Sequence, residues 1–242
     1  MNNGKKVLII GLTLLTGFTY SAGAVTKDMK KVVDEALEFS VKQSMSMFNE
    51  MKDQKGILPR TAKDGKMITC ESAWWTSGFY PGSLWYCYEY SNDPQVRAAA
   101  EEMTSRVEKQ KYTTSNHDVG FIINCSFGNG YRLTHNETYR EVIETAAKSL
   151  STRFHPVTRC TRSWNSKKWQ FSVIIDNMMN LELLNVASSL TGDNTYYNMA
   201  KSHADRTMIN HFRPDGSSYH VVSYDTVSYT HLRAHETVLD LV

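Results

Sequence analysis

Two aspartates in this chain are placed to move a proton. Asp176 lies within the run Trp169 to Leu184, where Val173, Ile174, Ile175, Met178, Met179, Leu181, Leu183 and Leu184 put apolar residues on nearly every side of a helix. Such a segment reads as an inner helix surrounded by others. An ionised carboxylate buried there without a partner is expensive, so the group either finds partners or raises its pKa and keeps its proton. Asp118, in Ser115-Asn116-His117-Asp118, falls in the first turn of another helix. There the free backbone N–H groups and the positive end of the macrodipole favour the anion. One carboxylate is thus expected to carry a proton near neutral pH while the other stays charged, as in a dissimilar acid/base pair. Each also has a plainer reading when taken alone: Asp176 bonded to a neighbouring helix end, and Asp118 as an ordinary cap.

Aromatic residues are plentiful, with 13 Tyr, 9 Phe and 5 Trp. Many in Ala73 to Tyr90 are equally suited to a core, but Trp74 and Trp75 precede the helix proper, where flat side chains serve as sugar platforms. Formal net charge is +2, and the Lys and Arg residues form no basic stripe, which leaves nucleic acid without support. Lys5 and Lys6, the apolar run Val7 to Leu15 and the small residues Ser21-Ala22-Gly23-Ala24 form an export signal over residues 1–24, too short for a comfortable membrane span. The mature chain is expected to start near Val25 as a secreted, periplasmic protein with no membrane association after cleavage. Cys70, Cys87, Cys125 and Cys160 lack metal-ligand spacing; export permits a disulfide, and buried free thiols fit equally. No cofactor is expected.

The elements that must position these groups are mainly helices. Apolar periodicity predicts an amphipathic helix over Lys27 to Met51, followed by a polar loop through Gly65. Further helices are expected after Pro81, over Pro94 to Lys109 with Asp93 as N-cap, from Ser115 to about Gly130, from Asn136 to about Ser151, from Trp169 to Leu190, and over Thr195 to His211. Alternation in Ser218 to Tyr224 reads as a single short strand. Asn92-Asp93-Pro94 and Gly192-Asp193-Asn194 each precede a helix and look like one repeated hairpin turn. Paired helices of this kind fit a bundle, a solenoid or a closed ring.

Four motifs carry a resemblance: Trp75-Thr76-Ser77-Gly78-Phe79, Asn116-His117-Asp118-Val119-Gly120-Phe121, Ile174-Ile175-Asp176-Asn177-Met178-Met179-Asn180-Leu181, and Gly216-Ser217-Ser218-Tyr219-His220. In this order they resemble the unsaturated glucuronyl hydrolases, glycoside hydrolase family 88, over roughly residues 28 to 225. The resemblance implies an all-α fold, here an incomplete (α/α)6 toroid of helical hairpins with a short strand or β-hairpin near 217–224. It implies Asp176 as general acid/base, Asp118 as its helper, and Trp75, His117, His220 and Trp164 as substrate-binding residues. The partner would be an unsaturated uronic-acid oligosaccharide made by a polysaccharide lyase, and the reaction a hydration of its C4=C5 bond, which calls for no metal and no covalent intermediate. An unsaturated rhamnogalacturonyl hydrolase of related family 105 shares that chemistry, and a non-catalytic glycan-binding toroid would share the aromatic platform.

The resemblance divides the chain into a signal at 1–24, the N-terminal part of a glycoside hydrolase domain at 25–226, and a tail at 227–242. That tail has no family counterpart and resembles translated sequencing-adapter read-through. Its His231 and His235 are spaced i and i+4 but have no third ligand, and no role is assigned to them. With hairpins of the ring missing, the 242-residue product is expected to expose apolar faces and to show little activity.

Overall fold

The computed structural model describes residues 27–227 and 231–235, so the export signal and most of the tail lie outside the described residues. The chain divides into two units, Met1–Ala36 and Leu37–Val242. The helix α1 (Lys27–Met51) runs across that boundary and has the extent its periodicity predicts. Within the first unit, Lys30 pairs with Asp34 and Lys31 with Glu35 one turn on.

In the second unit three helix-to-helix junctions share one geometry. The helix α2 (Phe79–Ser91) ends at Asn92 in the left-handed region, and Asp93 then caps α3 (Pro94–Ser105) by accepting the Gln95 N–H at 2.8 Å. After α4 (Val119–Ile123), a π-helical turn over Asn124–Gly128 and α5 (Asn129–Thr134), His135 is left-handed and Asn136 caps α6 (Glu137–Ser151). Later α7 (Asn177–Thr191) ends at left-handed Gly192, and Asp193 caps α8 (Asn194–Asn210) by accepting the Thr195 N–H at 2.8 Å. A left-handed residue followed at once by an Asp or Asn cap satisfies the carbonyls of one helix and the N–H groups of the next in two residues. The repeat expected at 92–94 and 192–194 is therefore present, and His135-Asn136 is a third copy. The core packs α4, α6 and α7 through Val119, Ile123, Ile143, Leu150, Leu183 and Leu184; each fully buried aliphatic side chain contributes about 1.5–3 kcal/mol. A second cluster joins α2 and α3 through Leu84, Trp85, Ala99 and Met103.

Several expectations are corrected. The polar loop after α1 is a hairpin of β1 (Ile57–Lys63) and β2 (Lys66–Glu71), turned by left-handed Asp64 and Gly65. Residues Phe79 and Tyr80 already belong to α2, preceded by a 3-10 turn over Trp75–Gly78, because Pro81 is tolerated within the first helical turn. Two short strands, β3 (Phe154–His155) and β4 (Cys160–Thr161), pair ahead of the site. The largest correction concerns Trp169 to Leu190, which is not one helix. Ser172–Ile174 forms β5, and α7 begins only at Asn177. The β-branched run Val173-Ile174-Ile175 favours a strand, and helical periodicity alone does not separate a short apolar strand from a helix start. The predicted strand is present as β6 (Val221–Tyr224), which pairs with β5 on one edge and with β7 (His231–His235) on the other. Among the described residues the chain is nonetheless mostly helical.

Candidate active site

The site forms where two helix starts meet one strand end. The Ile175 N–H donates to the His220 carbonyl at 2.9 Å, extending the β5–β6 ladder by one rung, and the chain then turns into α7 with Asp176 as its first flanking residue. Asp118 holds the equivalent place before α4, its own N–H bonded to the Asn116 side chain at 3.0 Å. A single loop ties both together: the Ser163 N–H donates to Ser172 of β5, and the Ser163 carbonyl accepts the His117 N–H. Trp164, next along, bridges to Asn116.

Asp118 and Asp176 face the same nitrogen. The Nε2 of His117 lies 3.3 Å from Asp118 Oδ1 and 3.8 Å from Asp176 Oδ1. The imidazole is 2% exposed and packed between Phe121 and Trp164, so burial pushes its pKa down to about 3 and the ring is neutral at any working pH. Burial raises Asp118 to about 6, opposed by the Arg153 guanidinium. Burial raises Asp176 further, to about 7, and the neighbouring Asp118 charge adds to the rise. Arg153 is itself buried and fixed by donating to the carbonyls of Thr114 at 2.6 Å and Arg162 at 2.8 Å.

Three expectations change here. Asp176 does not sit in the middle of an apolar helix but at its N-terminal edge, and its side chain is 43% exposed rather than largely water-excluded. Asp118 is not held low by its helix end; α4 is only five residues long, and desolvation of a side chain 21% exposed outweighs its small dipole. The order of the two groups survives for a different reason, since Arg153 favours charge at Asp118 and that charge disfavours a second at Asp176. His117, expected to reach a sugar, is enclosed instead, with its ring nitrogens facing Asp118 and Asn180.

Trp75 is 48% exposed and meets Phe121 edge-on at 6.3 Å, within two ring contacts of His117. Trp164 is half-buried on the other side of that imidazole, and His220 reaches the site through its backbone opposite Ile175. Asp118, Asp176, His117 and Trp164 therefore lie together, with Trp75 linked to them through Phe121 and His220 through its backbone. An open groove of about 880 Å³ adjoins them through Phe79 and Met179, and Tyr86, Asn124, Arg132 and Glu182 line its length. Arg153, Asn180 and Gly120 were missed. Asn180 carries a legible signal, because it lies one helical turn after Asp176 in an otherwise apolar stretch; Arg153, in an irregular loop, carries none. Among the described residues no group of His, Cys, Asp and Glu could hold a metal ion, and the four cysteines are free.

No family model matches the chain. The unsaturated glucuronyl hydrolase of Formosa agariphila is 47% identical over 157 residues, covering 64% of this chain and 39% of that protein. The unsaturated chondroitin disaccharide hydrolase of Streptococcus pyogenes is 30% identical over 200 residues, or 80% of this chain and 49% of that protein. A crystal structure of an unsaturated glucuronyl hydrolase specific for heparin aligns with a TM-score of 0.76 and 40% identity over 83% of this chain and 55% of that one. The chain thus spans less than half the length of these curated relatives. Its helical hairpins are those of their α/α toroid.

Proposed function

Because this chain is a homologue of the unsaturated glucuronyl hydrolases, we propose that the protein containing it is a glycoside hydrolase that removes a 4,5-unsaturated uronic acid from the non-reducing end of lyase-generated oligosaccharides. Asp176 is the general acid/base. Its raised pKa leaves a proton to deliver to C4 near neutral pH, and its exposure gives a sugar ring access to that proton. Positive charge then develops at C5, where water attacks as the Asp176 carboxylate takes up one of its protons. The resulting C5 hemiketal opens, and the sugar attached at C1 is expelled.

Asp118, ionised first, stabilises the developing charge and helps to orient the ring. Trp75 offers an exposed face for stacking, Trp164 packs on His117, and the His220 carbonyl holds Ile175 beside Asp176. The convergence of both carboxylates on one neutral imidazole nitrogen, with a fixed cation biasing one of them, carries this reading. The residue 1–24 signal would take the protein out of the cytoplasm to meet lyase products; cell fractionation checks it, and a cytoplasmic pool would refute it.

The test uses a lyase-generated unsaturated disaccharide and follows the ultraviolet absorbance of its double bond. The wild-type protein that contains this chain is expected to abolish the absorbance, and its Asp176→Asn variant to bind the sugar without turning it over. Binding by the wild type with no loss of absorbance would leave only a glycan-binding role and sink the assignment.

A further inference from the structure

One buried side chain decides where the proton on His117 sits. Asn180, on α7 and fully buried, faces two groups of the α4 region: its Oδ1 accepts the Phe121 N–H at 2.8 Å, and its Nδ2 lies 3.3 Å from His117 Nδ1. The backbone N–H of Phe121 can only donate, so it fixes which end of the amide is oxygen. The amide nitrogen, a donor only, is left facing His117 Nδ1, which must then be the acceptor. A neutral imidazole has one N–H, and with Nδ1 accepting, that proton resides on Nε2.

That nitrogen is the one nearer the carboxylates. Asp118 Oδ1 at 3.3 Å is the nearer, and Asp176 Oδ1 at 3.8 Å is beyond hydrogen-bonding range. The positive end of an N–H dipole lying closer to one of two neighbouring carboxyls favours the anion there and leaves the remaining proton to the other. In the opposite tautomer a lone pair would face both groups, favouring a protonated Asp118 and removing the distinction between acid and helper. Gly120 belongs to the same device. A Cβ there would stand 2.5 Å from Asn180 Cβ and 2.6 Å from its Cα, so only glycine lets α4 approach close enough for the Phe121 N–H to reach the amide.

We propose that Asn180 is a positioning residue that locks His117 in the Nε2–H tautomer and thereby assigns the proton of the carboxylate pair to Asp176. The assignment to Asp176 rests on the functional reading above; the tautomer lock does not. The decisive variant is Asn180→Asp, which keeps an oxygen for the Phe121 N–H but replaces the donor facing Nδ1 with an acceptor.

The protein that contains this chain, labelled with 15N-histidine and assigned against His117→Gln, gives the tautomer directly from long-range proton–nitrogen correlations near neutral pH. Wild type is expected to show neutral His117 with its proton on Nε2, and Asn180→Asp to place a proton on Nδ1. Wild-type His117 with Nδ1–H, or an unchanged Nε2–H tautomer in Asn180→Asp, overturns the lock, and the wild-type measurement stands even if the variant does not fold. In the hydrolase assay Asn180→Asp should lose roughly 100-fold in kcat with KM little changed, the lower end of what a positioned general acid contributes. If the tautomers behave as expected but the wild-type protein leaves the unsaturated bond untouched, the lock holds and the hydrolase reading fails.

Discussion

The Arg153 guanidinium opposes the rise that burial imposes on Asp118, yet it is held in place by main-chain carbonyls of Thr114 and Arg162. Because it stays charged, with burial lowering its own pKa only to about 10, it is a fixed bias rather than a partner that titrates with the site. Part of the asymmetry between the two aspartates thus comes from a residue outside both helices that follow them.

A bell-shaped pH profile follows. The proposed mechanism needs Asp118 charged and Asp176 protonated, so kcat/KM should rise as pH climbs through about 6 and fall as it passes about 7. His117, titrating near 3, contributes neither limb. Initial rates on an unsaturated disaccharide across the acid and neutral range check this; a flat profile would rule out the pair as acid and helper.

Asp176 should also cost stability where it is ionised. Its folded pKa of about 7 lies above the ordinary carboxylate value, so between the two the folded chain holds a proton that the unfolded chain releases, and stability falls as pH rises through that window. Asp176→Asn removes the loss. The variant should gain on the order of 1 kcal/mol over wild type at mildly alkaline pH, reduced from the full shift because the side chain is partly open to water, and nothing well below the ordinary carboxylate pKa. Urea titrations at the two pH values measure it, and an identical difference at both would contradict the raised pKa.

Trp75 should act on binding. Its exposed ring makes edge contacts with Phe79 at 6.1 Å and Phe121 at 6.3 Å, so its loss removes little core and, on the proposed reading, a sugar platform. Trp75→Ala is expected to raise KM by about 5- to 10-fold, equivalent to about 1 kcal/mol of stacking, with the thermal midpoint nearly unchanged. A fall in kcat with constant KM would place Trp75 elsewhere in the mechanism.

What the sequence made legible was local and polar. Asp93 and Asp193 announce helix starts by residue type and spacing, and both cap as read. The four motifs located Asp118, Asp176, Trp75 and His220 through their resemblance to glycoside hydrolase family 88, since on its own each residue also has a plainer structural reading. The surroundings of Asp176 were not legible, because Ser-Val-Ile-Ile-Asp satisfies helical and extended patterns alike until the partner strand Val221–Tyr224 is known. Arg153 could not be read at all: its effect depends on the fold bringing residue 153 to residue 118, and nothing in its own neighbourhood encodes that.

The close approach of α4 to α7 supplies the last prediction. In Gly120→Ala the new methyl group would meet the Asn180 Cα and Cβ, part of a helix rather than the movable end of a side chain, so the helices must separate by a fraction of an ångström or more. That overpacking should cost about 1–3 kcal/mol and draw the Asn180 amide off the Phe121 N–H. Gly192→Ala is the control, since Gly192 has φ 75° with open space around its Cα and would lose about 1 kcal/mol through backbone strain alone, far from the carboxylates. Thermal melts should show both variants destabilised, while the hydrolase assay should show kcat reduced only in Gly120→Ala. Equal kcat values in the two variants would mean that the helix contact supports the fold and has no bearing on the proton at Asp176.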